Sequence, residues 1–136
     1  MALPQGWKRE EWLQVLLNEI TDGCWVLDEE WRYQFVNEAG ARLVNMTPEQ
    51  IIGHTLTELF PEVKGTSFYE VYREAMEKRT VQSVVSSFLF RDGREGFYEV
   101  KVYPVTGGIL CIGRDITTQK RMEMALEKKN EELRII

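Results

Sequence analysis

The sequence has one histidine, two cysteines and fewer basic than acidic residues, 17 Lys and Arg against 22 Asp and Glu for a formal net charge of -5. Each shortage excludes a class of function. Basic residues interleaved with acids form no stripe that would attract a phosphate backbone, so no nucleic-acid partner is expected. The longest apolar run is far short of the roughly 20 residues that a membrane span requires. The opening Met-Ala-Leu-Pro-Gln-Gly-Trp lacks the charged start and apolar middle of a signal peptide, and a cytoplasmic location is expected. Cys24 and Cys111 are too far apart for a zinc knuckle or redox pair, and each sits in an apolar run as a small buried thiol. His54, next to Gly53, reads as a surface residue, so no metal site is expected. Asp22, Asp28, Glu29 and Glu30 cluster in turns, where acids are solvated. With no nucleophile and base to pair, the chain reads as a non-enzyme.

What is present fits one domain plus a helix or two: 136 residues, 43% hydrophobic and 29% charged. Lys8 to Ile20 places Trp12, Leu13, Leu16, Leu17 and Ile20 at helical spacing, an amphipathic helix in need of a partner surface. Cys24 to Leu27 and Trp31 to Val36 are short strands around an acidic turn. Three short helices follow: Glu38 to Asn45 behind an Asn37 cap, a turn opened by Thr47 and Pro48, and Thr55 to Phe60. Phe68, Val71, Tyr72 and Ala75 mark a longer helix from Ser67 that ends near Arg79. Val81 to Phe90, Gly96 to Val105 and Ile109 to Arg114 form an antiparallel meander. The first and last strands are apolar on both faces and read as central, covered by the short helices on one side and the N-terminal helix on the other. Past Thr118, residues Gln119, Met122, Leu126, Lys129, Leu133 and Ile136 fall at alternating spacings of three and four, the seam of a coiled coil. The pattern stops without a cap, as in a piece of a longer protein.

The segments ITDGCWVLDEEWRYQFVNEAG, TPEQIIGHTLTELFPE, SFYEVYREAM, FYEVKVYP and CIGRDITTQKRMEMAL, in that order and spacing, resemble a PAS domain over roughly Asn18 to Leu126. The resemblance implies an α+β fold: a five-stranded antiparallel sheet in spatial order 2-1-5-4-3 with short helices enclosing a cavity over one face. The expected organisation is an N-terminal helix over residues 1–20, a PAS domain over 21–117 and a C-terminal signalling helix or linker over 118–136. It also implies a regulatory module, most often joined to a histidine kinase, a diguanylate cyclase or a transcription activator. A histidine kinase of a two-component system is the favoured parent.

The resemblance raises three cofactors. Flavin-adduct photoreceptors carry a reactive Cys where this chain has Gly53 to Pro61, GHTLTELFP, with none. Haem-binding members commonly use a His on the long helix, and SFYEVYREAMEKR has none. Non-covalent flavin needs fewer markers, with Trp25 and Tyr98 available to stack or hydrogen-bond a ring.

Strand alternation outlines a candidate pocket wall of Trp25, Leu27, Tyr98, Val100, Val102, Ile109, Cys111 and Gly113. Leu43, Ile52, Leu56, Phe60, Phe68 and Tyr72 would face it from the helices. A filled core and a ligand cavity both fit this apolar set; Gly113 favours space, since glycine in a strand lets something approach the backbone. Arg114, Asp115, Ile116 and Thr117 join the last strand to the charged helix, with Thr117 as a candidate cap, and would transfer the signal. Homodimerisation would use Trp12, Leu13, Leu16, Leu17, Met122, Leu126 and Leu133. Three functions remain open: a sensor of a small-molecule or redox signal, a ligand-free dimerisation adaptor, and a non-covalent flavin redox sensor.

Overall fold

The computed structural model describes residues 9–135. Helix α1 (Arg9–Glu19) leads into strands β1 (Gly23–Asp28) and β2 (Tyr33–Val36). Three short helices, α2 (Glu38–Leu43), α3 (Pro48–Ile51) and α4 (Leu56–Leu59), precede a 3-10 turn at Pro61–Val63 and the longer α5 (Ser67–Lys78). Strands β3 (Gln82–Leu89), β4 (Glu95–Val105) and β5 (Gly108–Asp115) follow, and α6 (Thr117–Ile135) leaves the domain. All pairings are antiparallel in the order β2-β1-β5-β4-β3, as the resemblance implied.

Local chemistry accounts for the run of short helices between β2 and β3. Asn37 caps α2 through its side-chain oxygen, Thr47 and Gln50 form a capping box around Pro48, and Thr55 and Thr66 accept from Glu58 N–H and Tyr69 N–H. Helix α2 is followed by Asn45 and α3 by Gly53, both at positive φ, and α4 runs into Pro61. Helix α5 ends on Arg79, also left-handed, whose Nη1 donates to the Gly108 carbonyl at 3.0 Å and whose Nη2 donates to the Val105 carbonyl. That side chain ties the end of α5 to the β4–β5 turn.

Along β4, Tyr98, Val100 and Val102 are buried, while Glu99 and Tyr103 are half-buried and Lys101 is exposed. The buried row meets Leu27, Ile109 and Cys111 of the two central strands and Phe68, Tyr72 and Ala75 of α5 to form the core.

The far side of the sheet departs from expectation. Leu13, Val15, Leu16 and Ile20 are exposed, and Val26, Leu110 and Ile112 on the outer sheet face are only half-buried. Helix α1 therefore does not bury its apolar residues on the sheet. Only Leu17 is half-buried among the described apolar side chains of α1; the side chain of Trp12 lies outside the described residues.

Among the described residues Asn37 is the one polar residue in the buried set, at 0% exposure. Its Oδ1 accepts from Cys24 N–H at 2.9 Å and Gly40 N–H at 2.8 Å, and its Nδ2 donates to the Leu17 carbonyl at 2.8 Å and the Asp22 carbonyl at 3.1 Å. Removing the amide strands four backbone groups, each costing about 1–3 kcal/mol if it stays dry. Asn37→Ala is expected to lower stability by roughly 3 kcal/mol, read as a lower urea midpoint at unchanged slope. A loss below about 1 kcal/mol would show that water replaces the amide.

Candidate functional site

Between the sheet and α2 to α5 lies a cavity of about 90 Å³. Of the predicted wall residues, Trp25, Leu43, Leu56, Phe60, Phe68, Tyr72, Tyr98, Val100 and Gly113 line it. Leu27, Val102, Ile109 and Cys111 are fully buried but do not border it, because they sit further along the strands, where the core is closed. Ile52 is a correction. It is 44% exposed while Ile51 is 1% exposed and lines the cavity; α3 is a single turn that ends at Ile51, and Ile52 already follows an extended course.

The remaining lining includes Tyr33, Val36, Gly40, Val44, Val63, Phe88 and Phe90. Strand period two, applied along the expected strand Val81 to Phe90, places Phe88 and Phe90 on one face and so signals both. Phe88 meets Phe68 and Phe90 edge to face, at centroid separations of 6.0 and 4.8 Å, and Phe90 meets Tyr98 at 6.2 Å. Arg94 lies over the Phe90 ring at 4.2 Å and its Nη1 reaches the Leu43 carbonyl at 3.4 Å, which braces the β3–β4 turn against α2.

Gly113 does leave room, but Trp25 takes most of it. A methyl at Gly113 would lie 2.8 Å from Trp25 Cζ3 and closer still to Cη2. The two residues are diagonal neighbours, since Gly23 pairs with Gly113 and Trp25 with Cys111. The missing side chain lets the indole lie flat across β5.

At the end of β5 the joint residues are tied to β4. Ile116 N–H donates to the Phe97 carbonyl at 2.9 Å, and Phe97 N–H donates to Thr117 Oγ1 at 2.9 Å. Thr117 N–H donates to Asp115 Oδ1 at 2.9 Å. Asp115 at the strand end thus accepts from the helix start, whereas the Thr117 hydroxyl, the expected cap, serves the neighbouring strand instead. Arg114 pairs with Glu99 at 3.0 Å across β4 and β5. A methyl at Gly96 would stand 2.6 Å from Tyr98 Oη and 2.9 Å from Thr117 Oγ1, so a cavity-lining phenol and the first residue of α6 share one small space. A second, polar cleft opens beside this joint, with Arg42, Arg94 and Arg114 facing Asp22 and Asp115.

Burial sets the acid–base behaviour of the interior. It pushes Tyr33 and Tyr72 far above the usual phenol range, with the neighbouring Cys111 adding to both. It raises the Cys111 thiol, and it raises Cys24 to about 11. Tyr98 is raised by burial and then by the Asp115 carboxylate, against Arg94. His54 is exposed, and its Nδ1 lies 3.2 Å from Glu58 Oε2, whose carboxyl is held below its ordinary range chiefly by that contact. Among the described residues no group of His, Cys, Asp and Glu could hold a metal ion, and no helix is long and apolar enough to cross a membrane.

Two expectations follow. Gly113→Ala is expected to cost about 1–3 kcal/mol by driving a methyl into the rigid indole; in a Trp25→Leu background the same change should cost far less, and equal costs in both backgrounds would reject the contact. The buried thiols and phenols are neutral in the folded state and ionise more readily when unfolded. Stability from them is complete below the unfolded thiol value of 9.0 and is lost as pH rises toward the folded values. The thermal midpoint should stay level from about pH 7 to 8.5 and fall above pH 9, checked by circular dichroism melts; a level midpoint to pH 11 would contradict it.

A family model described as PAS fold matches residues 17–121. No curated protein sequence matches the chain. Solved structures with the same fold include the PAS domain of a protein from Colwellia psychrerythraea, at 22% identity and TM-score 0.67 over 82% of this chain and 99% of that one. The PAS domain of nitrogen regulation protein NR(II) from Vibrio parahaemolyticus aligns at 19% identity and TM-score 0.63, over 76% of this chain and 97% of that one. An RNA-binding light-oxygen-voltage receptor aligns at 17% identity and TM-score 0.71; it covers 96% of this chain, which spans 41% of the receptor. At these identities the likeness speaks for the fold alone, while the family match covers the body of the domain: the chain belongs to the PAS-fold family.

Proposed function

We propose that the chain is the sensory and dimerisation module of a signal-transduction protein, in which a small molecule in the cavity biases α6. One observation carries this reading: Tyr98, a wall of the cavity, shares the space over Gly96 with Thr117, the first residue of α6. A ligand that moves the Tyr98 ring thereby presses on the hydrogen bonds that set the start of α6, and a bias of a few kcal/mol suffices to switch a two-state helix pair. The names of two structural neighbours, a nitrogen regulation protein and a two-component sensor histidine kinase, favour a histidine kinase as the parent, and a cytoplasmic location fits that role.

Exposed apolar residues favour self-association as the second element of the reading. Leu13 and Leu16 on α1 and Met122, Leu126 and Leu133 on α6 are all exposed; Ile136, the last seam position, lies outside the described residues. A homodimer would cover both sets. The adaptor reading, with no ligand, rests on these residues alone and leaves the cavity without a role. A cavity of about 90 Å³ does not favour a non-covalent flavin with its three fused rings; visible absorption bands in the purified protein would restore that reading.

Gly96→Ala separates coupling from mere packing. Its methyl is expected to push Tyr98 Oη and Thr117 Oγ1 apart, so amide exchange across Ile116 to Lys120 should accelerate at least tenfold relative to the rest of the domain. Uniform acceleration would mean general destabilisation and no coupling. For self-association, Leu126→Asp with Leu133→Asp should convert a dimer to a monomer in sedimentation velocity, and an unchanged profile would remove α6 from the interface.

A further inference from the structure

The two edges of the sheet are treated differently. Strand β2 is covered by the loop between α3 and α4: Tyr33 N–H donates to the His54 carbonyl at 3.0 Å, Gly53 N–H donates to the Tyr33 carbonyl at 2.9 Å, and Arg32 bridges to Thr55. Strand β3, the opposite edge, has no such cover among the described residues. Its pairing with β4 runs from Gln82 opposite Val102 to Leu89 opposite Glu95 without a bulge, and Phe90 N–H continues that register by donating to the Arg94 carbonyl at 2.8 Å. Antiparallel partners exchange hydrogen bonds at every second residue, so Gln82, Val84, Ser86 and Phe88 bond to β4, while Ser83, Val85, Ser87 and Leu89 turn their N–H and C=O groups outward. None of these outward groups takes part in a turn or loop hydrogen bond among the described residues.

Edge strands are ordinarily blunted by a lysine, a proline, a bulge or shortness. Strand β3 has none of these: it is 8 residues long, and from Thr80 to Phe90 the sequence carries neither charge nor proline. Among the described residues it is also the one strand with large exposed apolar side chains. Val85 and Leu89 are 49% and 58% exposed, and Val81 just ahead of the strand is 62% exposed.

The spacing of that row identifies what covers it. Val81, Val85 and Leu89 alternate with Ser83 and Ser87, so the row reads apolar, small polar, apolar in either direction. A second β3 laid antiparallel about Val85 sets Val85 against its own counterpart, Val81 against Leu89 and Ser83 against Ser87, and each is a pair whose outward N–H and C=O groups meet. The chain has a net charge of -5, yet the segments that meet bring no like charges together. A partner of another sequence would have to supply the same spacing.

We propose that β3 is a self-pairing edge, through which two copies of this chain join their sheets in an antiparallel register centred on Val85. It uses no residue of α1 or α6, so it is separate from the helix contact proposed above. Because each two-fold contact leaves the other free, β3 can link helix-joined dimers into rows. Two strands bury far less than a standard interface, which places this contact alone at a Kd of about 0.1–1 mM.

The test uses the ¹⁵N-labelled chain carrying Leu126→Asp and Leu133→Asp, which removes the α6 seam, diluted from about 2 mM to about 0.02 mM to bracket that Kd. The expected result is saturable, concentration-dependent amide shifts at Ser83, Val85 and Ser87, larger than those at Val84 and Ser86, whose N–H groups already serve β4. Val85→Lys and Val85→Glu should each weaken pairing about tenfold, since like charges then oppose each other across the two-fold axis, and an equimolar mixture of the two variants should restore it. Should a variant fail to fold, the alternating shifts of the unsubstituted strand still decide. No concentration dependence at β3 overturns the inference and leaves the α6 contact standing, because that contact is read separately by sedimentation of the unsubstituted chain. Equal shifts along the whole strand overturn it in favour of unspecific aggregation, and shifts at Leu13 and Leu16 in place of β3 overturn it in favour of α1. A mixture that pairs no better than either variant alone overturns the register centred on Val85.

Discussion

The buried amide of Asn37 is the constraint on which the rest of the structure depends. Its oxygen completes the backbone pairing of β1 at Cys24 and starts α2 at Gly40, and its nitrogen holds the end of α1 at Leu17 and the turn at Asp22. An amide can do this because it offers two acceptor sites and two donors in one plane; a carboxylate has no donors and a hydroxyl too few. Helix α2 supplies Gly40 and Leu43 to the cavity wall, so the shape of the cavity inherits the precision of these four bonds. The same residue fixes where α1 leaves the domain, which in turn decides where its exposed leucines face.

Above that anchor, the interior is a compromise between filling and room. Edge-to-face contacts among Phe68, Phe88, Phe90 and Tyr98 hold the β3 side, each adding about 0.5–1.5 kcal/mol beyond burial. The opposite side is set by Trp25 lying over Gly113. Aromatic rings are rigid and bury large areas, but they tile imperfectly, and the space between these two groups is the cavity.

The central place of β1 and β5 was legible because a strand that is apolar on both faces belongs in the interior of a sheet, with neighbours on either side. Caps at Asn37 and Thr47 were legible because each puts a short polar side chain ahead of a helix-forming run. The wall of the cavity was legible where strand alternation governs, at Trp25, Tyr98, Val100 and Gly113. It failed at Ile51 and Ile52, since a one-turn helix has no period to read, and two adjacent isoleucines carry the same hydrophobicity. Tyr33 was missed because Trp31 takes a left-handed conformation with φ of 67°, which begins β2 later than the composition implies. The role of α1 was misjudged for another reason. An apolar stripe declares that something covers it but not whether that surface belongs to the same chain.

The joint at Asp115 has a mechanical consequence. Only Ile116 separates β5 from α6, so the helix has no slack in which to absorb a change in the strand. With 19 residues at about 1.5 Å each, α6 is a rigid arm of about 28 Å, and a tilt of about 5° at its root carries the far end through about 2.5 Å. Its angular phase is as tightly specified as its direction, because each residue of helix turns the arm by about 100°. The number of residues between the Asp115 carboxylate and whatever α6 engages is therefore a design quantity in its own right: it sets which face of the arm arrives there.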